Sequence, residues 1–142
     1  MMNKTNLKDW LITYIKNKDL FYKKISLIKE EESRIITEMK DNTTTYYFIS
    51  PDLNTFDTNK LSETKDSRTI IVVLNTKSNV DALVKMWSQI INYKLLSIMF
   101  VNPNSNIENK WFVNPYHHHQ VSEGNLKNSL MSIFITTTPF NE

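Results

Sequence analysis

The first apolar side chains of the chain recur three and four positions apart, with charged residues between them, as in an amphipathic helix. The apolar positions are Leu7, Trp10, Leu11, Tyr14 and Ile15. This spacing predicts a helix that Asn6 or Thr5 caps and that ends near Asn17. A further helical turn is possible in residues 19–24, with Phe21 packing inward.

The apolar positions then alternate with polar ones, which is typical of strands. Residues 25–27 and Arg34–Met39 alternate, and Thr44–Ile49 is rich in β-branched and aromatic residues. Residues 40–43 have the composition of a turn. We therefore predict two or three antiparallel strands joined by short turns. Residues 51–68 show no apolar period and predict a long loop.

Two continuous apolar runs follow, and each predicts a strand that is buried on both faces. They occupy residues 69–74 and 95–101. Between them, apolar residues at helical spacing in residues 80–91 predict a helix that Ser78 or Asn79 caps. A strand, a helix and a strand with short links predict a right-handed crossover between two parallel strands.

The last part of the sequence predicts shorter elements. Lys110–Val113 is a candidate strand, and residues 115–120 are a candidate loop that holds His117, His118 and His119. Ser122 can cap a last helix, with a tail in residues 136–142 that frays. The apolar face of that helix comprises Leu126, Leu130, Met131 and Phe134.

These elements predict an α/β fold in which a mixed sheet is flanked by helices. The length of 142 residues predicts one domain over residues 1–142, with a core of about residues 7–101 and a C-terminal extension in residues 102–142. The polar N-terminal sequence does not resemble a secretory signal, and no apolar run is long enough for a bilayer. We therefore expect a cytoplasmic protein with no membrane partner.

Composition excludes several classes of chemistry. The chain has no cysteine, which excludes disulfides, thiolate metal sites and cysteine nucleophiles. Gly124 is the single glycine, so Walker A loops, dinucleotide fingerprints and nucleophile elbows are excluded. The net charge is only +2, with 17 basic and 15 acidic residues. Charge balance alone gives no support for strong binding of nucleic acid.

Two short polar segments follow predicted strands: Pro51-Asp52, and Asn75-Thr76-Lys77. With the order of elements in residues 7–101, they resemble the PD-(D/E)XK, or restriction-endonuclease-like, superfamily. In that family an aspartate and an acid-x-lysine motif hold a divalent metal, and the lysine helps to activate water. The resemblance implies Asp52, Asn75 and Lys77 as catalytic positions, Asp52 as a metal ligand, and Mg²⁺ or Mn²⁺ as the cofactor.

The chain departs from the family pattern at Asn75, where the family has a second acid. An amide is neutral and is a weaker ligand of magnesium than a carboxylate. Asp9 is a candidate to complete the site from the first helix. Further candidates lie in the predicted loop, namely Asp57, Glu63 and Asp66. The resemblance thus implies a nuclease-like scaffold with an incomplete metal site.

Each candidate also has a structural interpretation. Asp52 is equally a turn residue, and residues 75–77 equally a link between a strand and a helix. The sequence favours solvated loop residues for the three histidines over a shared metal site, and a pH response or a partner contact is the alternative. The basic residues Lys16, Lys18, Lys23 and Lys24 are candidates for phosphate contact, although such segments are usually solvated. Of the basic residues, Lys23, Lys24 and Lys77 are the candidates for binding nucleic acid. Trp10, Trp87 and Trp111 could stack on bases, but Trp10 and Trp87 fall on apolar helix faces.

Three hypotheses of function follow from the sequence. The first is a nuclease-like domain that binds DNA or RNA with little or no cleavage. The second is a non-enzymatic interaction or scaffold domain, with a protein partner or a second copy of the chain on its apolar C-terminal helix. The third is an active metal-dependent phosphodiesterase that recruits an acid from elsewhere, such as Asp9 or Asp57.

Overall fold

A computed structural model of the chain describes residues 4–104, 110–121, 125–136 and 140. The helices are α1 (Lys4–Tyr22), α2 (Lys77–Ile90), α3 (Pro115–Val121) and α4 (Leu126–Phe134). The strands are β1 (Ile25–Glu30), β2 (Arg34–Met39), β3 (Thr44–Ile49), β4 (Arg68–Leu74), β5 (Leu96–Val101) and β6 (Lys110–Val113). Two short 3₁₀ helices, Leu53–Thr55 and Thr58–Glu63, lie between β3 and β4.

The described strands form one sheet of six, in the order β1-β2-β3-β4-β5-β6. Strands β1, β2 and β3 pair antiparallel, β3, β4 and β5 pair parallel, and β6 returns antiparallel to β5. The predicted α/β fold with a mixed sheet flanked by helices is therefore confirmed. The predicted parallel pair, β4 and β5, is also present, and α2 connects its strands.

Both faces of the sheet are covered, which explains the continuous apolar runs of β4 and β5. Alternate residues of β4 pack under α1 on one face, as Ile70 and Val72 do. The intervening residues Ile71 and Val73 face α2 and α4 on the other face. Each apolar side chain that is fully buried in this way contributes roughly 1.5–3 kcal/mol to stability.

Helix α1 differs from the prediction at both ends. It has already begun at Lys4, so Asn6 lies inside it, and it continues past Asn17 to Tyr22. Phe21 does not pack inward, because 88% of its surface is exposed. The helical spacing was correct up to Ile15, but the continuing turn points away from the sheet.

The end of α1 is fixed by Asp19. The carbonyl of Asp19 accepts the N–H of Lys23 at 2.8 Å, and its carboxylate accepts the N–H groups of Lys24 at 2.8 Å and Ile25 at 3.0 Å. Lys23 adopts a positive φ of 50°, where glycine is the more usual residue. This turn directs the chain into β1 and leaves Phe21 in solvent.

The predicted loop in residues 51–68 is more ordered than expected. Its two 3₁₀ helices bury Leu53 and Leu61 against the α2 side of the sheet. The side chains of Asp52 and Asp57 cap these helices by accepting backbone N–H groups. Two isolated apolar residues give no period, which is why the sequence pattern did not predict a packed segment.

Two predicted helix caps are wrong. Helix α2 is capped by Thr76, whose hydroxyl accepts the N–H of Asn79 at 3.1 Å, and neither Ser78 nor Asn79 has this role. Helix α4 is capped by Asn125. Ser122, the predicted cap, lies outside the described residues.

The C-terminal part belongs to the same fold as the core. Strand β6 extends the sheet as predicted, and Leu130 and Phe134 of α4 are buried against α2. Phe140 is buried, and its N–H donates to the carbonyl of Asn75 at 2.8 Å, so the expected fraying does not hold at this residue. The rest of the predicted tail beyond Thr136 lies outside the described residues.

Among the described helices, none combines the length and the apolar composition that crossing a bilayer requires.

Candidate functional site

The predicted site residues lie at one edge of the sheet. Strands β3 and β4 are parallel, so both end at this edge, and the N–H of Leu74 donates to the carbonyl of Pro51 at 3.3 Å. Asp52 follows β3, while Asn75 and Lys77 follow β4. The structure therefore places all three predicted catalytic positions at the carboxyl edge, where open α/β sheets commonly bind ligands.

Asn79 organises this edge, and the sequence indicated it only as a possible cap. Its Nδ2 donates to the carbonyls of Pro51 and Leu74, each at 2.8 Å, and its Oδ1 accepts the N–H of Leu53 at 2.8 Å. The side chain is buried, so these bonds tie the segment after β3 to the end of β4. Asn79 lies four positions before the buried Leu83 and so on the same face of the helix. This spacing was the signal in the sequence that its amide is buried.

The side chain of Asn75 is part of the core. Its exposed fraction is 0%, and its Oδ1 accepts the indole N–H of Trp111 at 2.9 Å. The Trp111 ring stacks on Phe100 with 4.1 Å between ring centroids. This oxygen therefore faces the packed aromatic side chains beneath α2 and α4, away from solvent.

Asp52 acts as a turn residue. Its Oδ1 accepts the backbone N–H and the Nδ2 of Asn54, both at 3.0 Å. The same Nδ2 lies 3.4 Å from the hydroxyl of Ser78, next to Lys77. Asp52 and Lys77 are both exposed, whereas the amide of Asn75 is buried. The three side chains therefore lie at the same edge of the sheet, but two of them are in solvent and one is in the core.

These residues do not fit a divalent cation. Mg²⁺ and Mn²⁺ prefer several oxygen ligands, and carboxylates are the strongest of them in proteins. No group of three His, Asp or Glu residues in the described part of the chain is placed to hold a metal. Asp9 is exposed on α1, and Asp57 caps a 3₁₀ helix through the N–H of Asn59. Glu63 is exposed at the end of this helix, and Asp66 is exposed beyond it.

The three histidines lie on helix α3, so the predicted loop is wrong. The N–H of His117 donates to Oδ1 of Asn114 at 2.8 Å, which starts the helix. Nδ1 of His119 accepts the indole N–H of Trp87 at 3.3 Å, and Nε2 of His118 lies 3.1 Å from the hydroxyl of Ser129. Burial lowers the pKa of His118. These contacts attach α3 to α2 and α4.

A cleft of about 320 Å³ lies at the other edge of the sheet, beside the end of α1. Arg68 begins β4 and pairs in register with Thr45, so the cleft is separated from Leu74 by the length of β4, roughly 20 Å. We name it the cationic cleft. Its lining comprises Ile15, Lys18, Asp19, Tyr22, Lys24, Ile25, Thr37, Met39, Thr45, Tyr47 and Arg68.

Positive charge dominates the cationic cleft. Lys18, Lys24 and Arg68 line it with a single carboxylate, that of Asp19, whose Oδ1 accepts two backbone N–H groups. The ion pairs found in the described part of the chain lie elsewhere and involve Lys29, Arg34 and Lys127. Partial burial lowers the pKa of Lys18, and Arg68, Lys110 and Lys24 lower it further. The cleft therefore has a positive electrostatic potential, which a bound anion would reduce.

Aromatic rings alternate with these cations. The ring of Tyr14 has Nζ of Lys110 at 5.0 Å and Nζ of Lys18 at 5.9 Å from its centroid. Nζ of Lys24 lies 5.6 Å from the centroid of Tyr22. Cations interleaved with aromatic rings are typical of surfaces that bind single-stranded nucleic acids.

Only part of this cleft was predicted from the sequence. Lys18 and Lys24 belonged to the basic segment, but the predicted nucleic-acid-binding residues Lys23 and Lys77 do not line the cleft. Arg68 and Tyr47 line it and were not predicted. Arg68 is separated from Lys18 by 50 positions in sequence and joins it only through the parallel pairing of β3 with β4. Local patterns carry no signal for such a contact.

Comparison of the chain with protein-family models, with curated proteins and with solved structures found no significant match. The geometry of the two sheet edges is thus the basis on which a function can be proposed.

Proposed function

We propose that the chain is a nuclease-like α/β domain that binds nucleic acid without cleaving it. The observation that carries the proposal is the cationic cleft, in which Lys18, Lys24 and Arg68 come from three different elements. Phosphate contacts by such cations supply most of the non-specific affinity for nucleic acid. Composition could not indicate this, because a net charge of +2 says nothing about where the charges lie.

The absence of cleavage is supported by the carboxyl edge. Nuclease chemistry in the family that the sequence resembles needs two acids that hold a metal, and Asn75 is neutral, buried and bonded to Trp111. Asp52 is accessible but already accepts two bonds from Asn54. A single exposed carboxylate is a weak site for Mg²⁺, which usually binds through several oxygens.

Fluorescence anisotropy with labelled DNA and RNA tests the binding proposal. We expect affinity to fall steeply between about 50 and 200 mM salt, because bound phosphates release counterions. The double variant Lys18→Gln/Arg68→Gln should bind more weakly and with a shallower salt dependence. Lys60→Gln/Lys85→Gln is the matched control, since it removes the same charge from exposed positions outside the cleft. Equal binding by both variants would refute the role of the cleft.

A cleavage assay with Mg²⁺ or Mn²⁺ tests the absence of catalysis. We expect no metal-dependent cleavage of DNA or RNA by the wild-type chain. If cleavage occurs and Asp52→Ala abolishes it, the chain is an active phosphodiesterase and the non-catalytic proposal is wrong. Cleavage that survives Asp52→Ala would instead indicate a contaminating nuclease.

A second candidate function is protein interaction, and the end of α1 favours it. Leu20 and Phe21 are 72% and 88% exposed, which leaves two large apolar side chains side by side in solvent. The C-terminal helix predicted for this role is instead packed, since Leu130 and Phe134 are buried. Sedimentation of the wild type and of Leu20→Ser/Phe21→Ser tests self-association. A monomer that does not change between them argues against a homodimer on this surface.

A further inference from the structure

The cationic cleft has an apolar interior as well as a charged rim. Ile15, Ile25, Met39 and Tyr47 line it together with the basic residues. Its volume of about 320 Å³ lies at the lower limit of pockets that take small organic ligands, roughly 300–1,000 Å³. A surface that bound only the phosphate backbone would need cations but no such recess.

We propose that the cationic cleft accepts one unpaired nucleotide of a single strand, with its base against Tyr22 and Met39 and its phosphates on Lys18, Lys24 and Arg68. This inference rests on the proposed function and names its substrate class as single-stranded nucleic acid. The bases of a duplex are paired and stacked, so they cannot enter a recess of this kind without being extruded.

Tyr22 supplies the stacking surface at the mouth of the cleft. The residue is 62% exposed, and Nζ of Lys24 lies 5.6 Å from the centroid of its ring, so a base and a phosphate could be held at adjacent positions. Aromatic rings accept any base by stacking, which gives affinity for single strands without a strong preference for sequence. We therefore expect discrimination by strandedness and only weak discrimination by base.

The rim is built to hold a phosphate group. Arg68 is one of only two arginines in the chain, and its planar guanidinium can donate two parallel hydrogen bonds to one phosphate. The turn after α1 holds Lys24 at the rim, because the carboxylate of Asp19 accepts the N–H groups of Lys24 and Ile25. Three cations and one carboxylate leave a net charge of two positive units at the cleft.

Tyr47 also lines the cleft. It is buried, and this burial raises its pKa to about 12, so the hydroxyl stays protonated at neutral pH. A neutral hydroxyl adds no negative charge that would repel a phosphate, and it can donate a hydrogen bond to a base edge.

The test measures binding of three probes of equal length by anisotropy: a mixed-sequence single strand, its duplex, and an oligomer with abasic sugars throughout. We expect the single strand to bind at least about fivefold more tightly than either of the others, since stacking contributes for each base bound. Equal binding of the three probes overturns the inference and leaves the proposed function standing. If none of them binds, the proposed function itself fails.

Variants then locate the contact. Tyr22→Ala should remove the preference for the single strand over the abasic oligomer. Tyr22→Phe should retain the preference, because the ring remains. Phe112→Ala is the control, since this partly exposed ring on β6 lies outside the cleft. A preference that survives in Tyr22→Ala, with circular dichroism like that of the wild type, places the base elsewhere and refutes the inference.

Discussion

The indole N–H of Trp111 donates a hydrogen bond of 2.9 Å to Oδ1 of Asn75, and both side chains are buried. This bond joins β6 to the end of β4, across the intervening strand β5. The position that the resemblance implied as catalytic is thus part of the packed core. An asparagine here is a satisfied core residue, which explains why a charged acid would be unfavourable.

We predict that Asn75→Asp destabilises the protein and restores no nuclease activity. A carboxylate in this apolar setting must either lose its hydration or take up a proton, at a cost of at least about 2 kcal/mol. Urea denaturation measures the loss, and a cleavage assay with Mg²⁺ is run on the same preparation. Gain of metal-dependent cleavage in Asn75→Asp would show instead that the carboxyl edge is a dormant catalytic site.

Asn79→Ala should reduce the free energy of unfolding by roughly 2–4 kcal/mol, because it leaves the N–H of Leu53 without its partner and removes bonds to Pro51 and Leu74. The three lost hydrogen bonds are each 2.8 Å long and lie at least partly buried. Ser78→Ala is the control, since this exposed neighbour makes only a long contact with Asn54. A loss below about 1 kcal/mol, the average net value of one hydrogen bond, would contradict the proposal that Asn79 holds the segment after β3 to the end of β4.

Lys24 and Lys23 are adjacent, yet only Lys24 lines the cationic cleft. We predict that Lys24→Gln lowers the slope of log affinity against log salt by about 1, whereas Lys23→Gln leaves it unchanged. Both variants remove one positive charge, so the comparison separates local contact from overall charge. Equal reductions in the two variants would mean that the whole basic segment, and not the cleft, contacts phosphate.

The turn after α1 gives a prediction about stability. Asp19→Ala should cost about 1–2 kcal/mol, because the N–H groups of Lys24 and Ile25 lose their acceptor. Lys23→Gly should be neutral or stabilising by up to about 1 kcal/mol, since glycine adopts a positive φ without steric cost. Thermal or urea denaturation measures both. Marked destabilisation by Lys23→Gly would show that the lysine side chain itself holds the turn.

His118 predicts a dependence of stability on pH. Burial lowers its pKa below the ordinary value of 6.5, so the fold favours the neutral ring. Its contribution to stability is therefore complete above pH 6.5 and is lost as the pH falls through the lower pKa of the folded state. The urea concentration at the midpoint of unfolding should decrease as the pH is lowered from about 7.5 to about 5. Part of this decrease should disappear in His118→Gln.

His117→Gln is the control for that experiment, because His117 is exposed. The pH dependence of this variant should match that of the wild type. A pH profile that is the same in His118→Gln and in the wild type would mean that other groups account for the loss of stability at low pH.

Local sequence patterns predicted most of the strands, because the burial of a strand is reflected in the apolar residues of that same short segment. The continuous apolar runs of β4 and β5 are typical of strands that are buried on both faces. The same patterns failed for helix α3, where Tyr116 and three adjacent histidines give no amphipathic period in only seven residues. They also failed at Phe21, because a helical period does not tell where the sheet beneath a helix stops.

By itself, the sequence determined the α/β class, the parallel pair β4 and β5, and the placing of Asp52, Asn75 and Lys77 at one edge of the sheet. Hydrophobic periodicity and the short links between elements are sufficient for that. Only the tertiary structure showed that the side chain of Asn75 is bonded in the core, since its partner Trp111 lies 36 positions away in the sequence. It alone also showed that Lys18, Lys24 and Arg68 line one cleft. The sequence could not show this positive potential, because the electrostatic effect of a charge depends on its distance from other charges in space.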